Sequence, residues 1–114
     1  MISKNFNRSE FACKCGCGFS TVDVELLEVL ELVRAAFNSP VSINSACRCE
    51  SWNRHVGGGL KSKHLQGIAA DIVVKGVEPK VVYTLLNDMN QNKFGIGSYK
   101  TFTHIDVRPN RARW

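Results

Sequence analysis

Hydrophobic residues recur at helical spacing in two stretches of the chain, each with a helix start signal. A capping segment opens the first stretch and Pro40 follows its end, which predicts a helix over residues 21–37. In the second stretch, Pro79 suits the first position of a helix, and the apolar spacing predicts a helix over residues 78–89. Each helix has one apolar face with which to contact a core.

The remaining apolar positions favour strands. Residues 41–46 alternate between apolar and polar, and residues 68–74 form an apolar run that a single carboxylate interrupts, which is typical of a buried strand. Two further strands, residues 94–99 and 101–107, are predicted with a tight turn near Lys100 between them.

Short segments connect these elements. The first 20 residues form an irregular cap rich in cysteine and glycine, residues 50–56 favour a short helix, and the three glycines at 57–59 predict a loop. The order helix, strand, loop, strand, helix, strand, strand predicts one α+β domain over residues 1–114. In it, helices pack on one face of a mainly antiparallel sheet.

Length and composition agree with a globular domain. Of the 114 residues, 44% are hydrophobic and 22% charged, which allows a core and excludes wholesale disorder. No apolar run approaches the about 18 residues of a membrane span, and the first residues lack the apolar segment of a secretory signal. We therefore expect a monomer that stays in the cytoplasm until another factor releases it.

The net charge of +5 favours a polyanionic partner, which could be nucleic acid, an anionic cell wall or an acidic membrane surface. The basic residues are scattered, apart from three arginines after residue 107. Because no basic motif with interleaved aromatic residues is present, nucleic acid is not expected as the partner.

Five cysteines form two closely spaced groups. Cys13, Cys15 and Cys17 make a C-x-C-x-C run, and Cys47 and Cys49 make a C-x-C pair. Without a signal peptide, metal binding is favoured over disulfides. The spacing is an imperfect match to the common C-x₂-C of structural zinc sites. A second, structural ion that joins the two groups, a disulfide cluster and free buried thiols therefore all stay open.

The densest group of chemically active residues ends at Asp71. His64 lies seven residues before Asp71, and Asp71 interrupts a buried strand, where a charge is costly unless it is paired or bound to metal. A second histidine, His104, lies on a predicted hairpin strand. Two histidines and one aspartate form the three-ligand set of a catalytic zinc site. The alternative is that the three residues have unrelated structural roles. His64 would then lie in a loop, Asp71 would cap a helix or turn, and His104 would be a hydrogen-bonded residue of the sheet.

The pattern Ser-x-His-x-x-Gly-x-Ala-x-Asp, with a histidine on a later strand, resembles the zinc D-Ala-D-Ala carboxypeptidases and L-alanyl-D-glutamate peptidases. That group includes many bacteriophage endolysins and has the hedgehog/DD-peptidase fold. The resemblance extends over roughly residues 4–109 and includes the Cys-Gly-Cys-Gly stretch, Arg48, Asn53 and the His-Ile-Asp-Val-Arg segment.

The resemblance implies one catalytic Zn²⁺ ion with His64, Asp71 and His104 as ligands. It assigns Arg48 to a substrate carboxylate or to the oxyanion, a task that suits a planar guanidinium. It assigns Ser62 to a hydrogen bond with the substrate or with the backbone of the site, although Ser62 could instead cap the turn before His64. The implied substrate is a peptidoglycan stem peptide, which contains D-residues and free carboxylates.

One position departs from the family pattern. Many relatives have an acid three residues before the last zinc histidine, where it acts as general base, and here that residue is Thr101. The nearest carboxylate is Asp106, which should point to the same side of its strand as His104. We therefore predict that Asp106 is the general base, with Glu50 and His55 as weaker candidates. Orientation of His104, or pairing with an arginine, is the alternative role for Asp106.

The sequence thus predicts a zinc metallopeptidase that hydrolyses a peptide bond in peptidoglycan, as a D,D-carboxypeptidase or an endopeptidase of the phage-lysin type. Two alternatives remain. A cell-wall-binding module of the same fold could keep the zinc but not catalysis, which Thr101 favours. A small basic zinc protein could bind nucleic acid through its cysteine groups.

Overall fold

The fold of the described residues consists of three α-helices and a five-stranded sheet, and the computed structural model describes residues 2–59 and 62–114. In chain order the elements are α1 (Val24–Phe37), β1 (Val41–Ser45), α2 (Glu50–His55), β2 (Ala69–Val74), α3 (Pro79–Met89), β3 (Gly95–Ser98), β4 (Thr103–Asp106) and β5 (Ala112–Arg113). All the predicted elements are present, and most are one or two residues shorter than predicted. None of the described helices has the length and apolar character needed to cross a membrane.

The ends of α1 follow from local chemistry. The side chain of Asp23 accepts a hydrogen bond from the backbone N–H of Glu25, so Asp23 is the N-cap and the helix begins three residues later than predicted. At the other end, Asn38 adopts a left-handed conformation with φ of 48°, which ends the helix before Pro40.

The strands are arranged in the order β1-β2-β4-β3-β5. The first four pair antiparallel to one another, whereas β5 pairs parallel to β3. The prediction of a mainly antiparallel sheet in an α+β fold is therefore confirmed. The sequence did not predict β5, because two residues are too short to show an alternating pattern.

The two faces of the sheet differ in chemistry. Ala70 and Ile72 of β2 and Ile105 of β4 point into the hydrophobic core, where α1 and α3 contact each other and both contact β2. Side chains alternate along a strand, so Asp71 and His104 point to the opposite face. The predicted packing of helices on one face holds for α1 and α3, while α2 packs against the 3₁₀ turn Lys63–Gln66.

The first twenty residues are largely irregular but tightly bound to the core. Phe6 and Phe11 are fully buried, and their rings meet edge to face with centroids 6.0 Å apart. Asn5 donates two hydrogen bonds to the Glu31 carboxylate on α1, from its backbone N–H at 2.7 Å and from its side chain at 2.6 Å. The predicted cap therefore contributes to the core as well as covering it.

Candidate active site

Three elements bring the predicted metal ligands together. Asp71 on β2 and His104 on β4 lie directly opposite each other in the antiparallel ladder. His64 comes from the 3₁₀ turn Lys63–Gln66, immediately before β2. The candidate ligand atoms of the three buried side chains all lie within 4.8 Å of one another. Strand register thus places side by side two residues that are 33 positions apart in the sequence.

The distances place Asp71 between the two imidazoles. One carboxylate oxygen is 3.0 Å from Nδ1 of His104, and the other is 3.3 Å from Nε2 of His64. The two rings meet edge to face with centroids 5.2 Å apart. Burial alone would raise the pKa of Asp71, but the hydrogen bonds from His104 and His64 outweigh burial and lower the pKa to about 2.

The orientation of the His64 ring is fixed by a hydrogen bond on the side that faces away from Asp71. Its Nδ1 lies 2.6 Å from the carbonyl oxygen of Ala46, and a carbonyl can only accept, so Nδ1 carries the hydrogen. Nε2 then faces Asp71 and, in the neutral ring, would offer its lone pair to a metal ion. Metal-binding histidines almost always have such a partner on the second ring nitrogen. Two neutral imidazole nitrogens and an ionised carboxylate form a donor set that zinc binds readily, so these residues fit the metal.

Asp106 lies beneath His104 rather than in the open cleft. One of its carboxylate oxygens accepts a hydrogen bond from Nε2 of His104 at 2.8 Å. Arg108 donates to both oxygens, from Nε and Nη2, each at 2.7 Å. The Asp106 side chain is completely buried. Burial would raise its pKa, but the hydrogen bonds from Arg108 and His104 outweigh burial and hold the pKa well below its usual range.

Arg48 lies on the other side of Asp71, with one guanidinium nitrogen 3.5 Å from the Asp71 carboxylate. A second nitrogen donates to the side-chain oxygen of Asn53 at 3.1 Å, and Nε donates to Ser45 at 3.3 Å. Asn53 is itself buried, and its amide donates to the carbonyl of Gly59. The guanidinium is therefore held in one orientation by groups from β1 and α2.

Ser62 caps the turn that carries His64. Its Oγ accepts a hydrogen bond from the backbone N–H of His64 at 3.3 Å, which matches the second of its two predicted roles. Ser62 also lines the cleft, and a hydroxyl that accepts one bond can still donate another. The geometry is thus compatible with a contact to a substrate as well.

These residues surround an open cleft of about 490 Å³, large enough for part of a peptide. Asp71 is the sole acidic residue among the described residues that line it. Thr101 is exposed just before β4, while Glu50 and His55 are exposed on α2 and do not line the cleft. Together the lining residues are Arg48, Val56, Gly57, Gly58, Gly59, Ser62, Lys63, His64, Asp71, Tyr99, Phe102, His104, Arg108 and Trp114.

Trp114, which follows β5, forms part of the cleft wall and was not predicted from the sequence. Its ring lies against His104 with centroids 5.0 Å apart, and its Nε1 donates to the hydroxyl of Tyr99 at 2.7 Å. Trp52, by contrast, is not among the described lining residues and stacks on His55. The signal that could have identified Trp114 is the pair of glycines in β3, because small residues there indicate a large side chain lying over the strand.

The cysteines separate into a cluster and a single residue. Cys13, Cys15, Cys17 and Cys49 bring their sulfur atoms within 4.8 Å of one another. Cys47 is buried elsewhere, and its thiol donates to the backbone carbonyl of Thr21. Four cysteines from the two sequence groups therefore meet and Cys47 does not join them, because the side chains of Cys47 and Cys49 point in different directions.

Comparison with known proteins agrees with this geometry. The sequence profile described as peptidase M15 matches residues 4–106, which is nearly the whole chain. Among curated proteins, no match to the chain is found. The matched range includes His64, Asp71 and His104, the three residues that the structure brings together. The chain therefore belongs to the peptidase M15 family, whose members are zinc-dependent metallopeptidases.

Proposed function

We propose that the protein hydrolyses a peptide bond in the stem peptides of bacterial peptidoglycan, as a zinc-dependent D,D-carboxypeptidase or endopeptidase. The observation that carries this proposal is the buried His64–Asp71–His104 group at the floor of an open cleft, beside the fixed guanidinium of Arg48. A monomeric phage lysin, made in the cytoplasm of the host and released to the wall, is the setting that we propose.

His64, Asp71 and His104 would hold the ion, which when bound supplies a Lewis acid that activates water and polarises a carbonyl. The Ala46 carbonyl keeps the lone pair of His64 directed at the site, since it takes the hydrogen of the other ring nitrogen. Asp71, as an ionised carboxylate between two imidazoles, reduces the positive charge of the centre without removing it.

Arg48 is the group that we propose binds the substrate. Its contacts with Asn53 and Ser45 fix the guanidinium before the substrate arrives, so little side-chain entropy is lost on binding. A planar guanidinium recognises a carboxylate or the oxygen that gains negative charge when a carbonyl is attacked. Stem peptides carry free carboxylates, and Ser62 can donate a further hydrogen bond from the rim of the cleft.

The contacts of Asp106 support a role in orienting His104 better than a role as the general base that transfers a proton. Both of its oxygens already accept hydrogen bonds, and the side chain does not reach the cleft surface. A general base must lie within hydrogen-bond reach of the proton that it removes. We therefore propose that Asp106 is a positioning residue that acts through His104, and its earlier assignment as general base stays the competing prediction.

A second candidate function is supported by one observation. Among the described lining residues, Asp71 is the sole acid, and it belongs to the metal-ligand set. With Thr101 in place of the family acid, none of the described lining residues outside that set is an evident proton acceptor. A module that retains the metal and binds wall peptides without cleaving them would need no such group.

Mass spectrometry of purified peptidoglycan distinguishes the two candidates. The protein is incubated with the polymer with and without a zinc chelator, and Asp71→Asn serves as the inactive control. Hydrolysis predicts new peptide ends that disappear with the chelator and with the variant, and the fragment masses identify the bond. Intact peptidoglycan that co-sediments with zinc-loaded protein, with no new ends, would instead establish the binding module.

A further inference from the structure

The cluster of Cys13, Cys15, Cys17 and Cys49 lies outside the cleft and is not used by the proposed reaction. The sulfur of Cys13 is 3.4 Å from that of Cys15 and 3.8 Å from that of Cys49, and the sulfurs of Cys15 and Cys49 are 3.6 Å apart. Four thiolates bound to one zinc ion at about 2.3 Å in a tetrahedron would lie roughly 3.8 Å apart. The spacings among these three sulfurs are close to that arrangement, and the sulfur of Cys17 lies within 4.8 Å of the others.

The backbone is folded around this point. Gly16 and Gly18 both have positive φ, of 83° and 90°, which lets the C-G-C-G segment curl within a few residues. The N–H of Cys13 donates to the carbonyl of Phe19 at 2.7 Å and closes the loop. The curled segment turns alternate residues, the cysteines, toward one side.

Two backbone N–H groups point at the sulfurs. The N–H of Cys49 donates to the sulfur of Cys13 at 3.5 Å, and the N–H of Trp52 donates to the sulfur of Cys49 at 3.4 Å. Hydrogen bonds of this kind orient metal-binding thiolates and offset their negative charge. Soft thiolate ligands select zinc over the hard cations calcium and magnesium.

We propose that Cys13, Cys15, Cys17 and Cys49 form a second metal site, a tetrathiolate site for a structural zinc ion. The site would join the N-terminal cap to the start of α2. Backbone hydrogen bonds connect this region to the cleft. The N–H of Cys47 donates to the carbonyl of Phe11 in the cap, and the N–H of Arg48 donates to the carbonyl of His64 at the cleft. Zinc at the cluster would therefore hold Arg48 in place without touching the substrate.

Elemental analysis of the reduced, zinc-saturated full chain tests this site independently of hydrolysis. We expect about two zinc ions per chain for the wild type and about one for both Cys15→Ser and Asp71→Asn. Cys47→Ser is the matched control, because Cys47 lies next to the cluster in sequence but outside it, and it should keep both ions. One ion in the wild type, or an unchanged content in Cys15→Ser, would overturn the proposal.

Cobalt substitution covers the case in which a cysteine variant fails to fold. Cobalt bound by thiolates absorbs strongly through sulfur-to-metal charge transfer, and nitrogen and oxygen ligands do not produce that absorption. The Asp71→Asn variant loaded with cobalt should show this band at full strength, since its cysteines are intact. Absence of the band in both the wild type and Asp71→Asn would contradict the site, whether or not the protein cleaves peptidoglycan.

Discussion

The roles of single residues in this cleft depend on the hydrogen-bond partners that orient them from outside the cleft. His64 is oriented by a carbonyl, His104 by a carboxylate and Arg48 by an amide, so each group that faces the cleft is held by one that does not. Catalytic geometry must be held closely, because small displacements of reacting groups have large effects on rate. Variants of the supporting residues therefore test the account as directly as variants of the ligands.

Asp106→Asn distinguishes the two roles of that carboxylate. If Asp106 orients His104, the variant should bind zinc about 10–100-fold more weakly and lose activity that excess zinc partly restores. Zinc affinity is measured by competition with a chelator, alongside the rate of peptide release. An unchanged zinc affinity with a lost rate would contradict the orienting role and favour the general base.

Arg48→Lys tests the guanidinium. Lysine retains the charge but cannot bind a carboxylate through two parallel hydrogen bonds or keep the contacts with Asn53 and Ser45. We expect kcat/KM to fall on the order of 10²-fold, with the zinc content unchanged. Arg54→Lys is the control, because Arg54 is exposed on α2 outside the cleft lining and should behave as the wild type. Equal losses in the two variants would show that the effect is not specific to the cleft.

At the scale of elements, the register of β2, β4 and β3 assembles the site. Asp71 is paired with His104, and His104 and Asp106 are paired on their other side with Gly97 and Gly95. A side chain at either glycine would collide with the site. A Cβ at Gly95 would lie 2.5 Å from an Asp106 oxygen, and one at Gly97 would lie 2.5 Å from Nε1 of Trp114.

Gly95→Ala should therefore reduce activity. The Asp106 carboxylate is fully buried and bound by Arg108 and His104, so it cannot move aside without disturbing His104. We expect kcat/KM to fall roughly 10-fold to 100-fold. Ser98→Ala is the control, since Ser98 is exposed on the same strand and is not among the described lining residues of the cleft. Full activity in purified, folded Gly95→Ala would show that the packing over β3 does not matter.

The elements also show what the sequence could and could not predict. The helices were predictable because start signals such as Asp23 and Pro79 coincide with apolar periodicity. The grouping of His64, Asp71 and His104 was predictable in part, because a carboxylate in an apolar strand needs a partner. The positions of Cys47 and Trp114 were not, since both depend on the direction of a side chain after the chain has turned. The burial of Asp106 was likewise not predictable. The hydrogen bonds that Arg108 donates to this carboxylate depend on the path of the chain after β4.

At the scale of the whole molecule, one hydrophobic core supports the cleft. Leu30 and Val33 of α1, Leu86 of α3 and the rings of Phe6 and Phe11 share it with the inward-facing residues of the sheet. The cleft occupies the opposite face of β2 and β4. Stability and chemistry are thus separated by the alternation of side chains along these strands.

Leu30→Ala tests this separation. The side chain is fully buried, so its truncation should lower the free energy of unfolding by about 2–5 kcal/mol. Leu32→Ala, on the exposed side of the same helix, should change it by less than about 0.5 kcal/mol. Urea unfolding measures both. At temperatures where both variants are folded, both should keep the wild-type kcat/KM, and a large loss of kcat/KM in folded Leu30→Ala would contradict the separation.

We propose that peptidoglycan hydrolysis by this protein depends on a metal ion held by His64, Asp71 and His104. The most direct test is to strip the protein with a chelator, return zinc in steps, and follow peptide release from peptidoglycan at each step. Release should stop on stripping and return with zinc in the wild type, but it should never return in Asp71→Asn. Release that survives chelation, or that zinc restores equally in Asp71→Asn, would contradict the proposal.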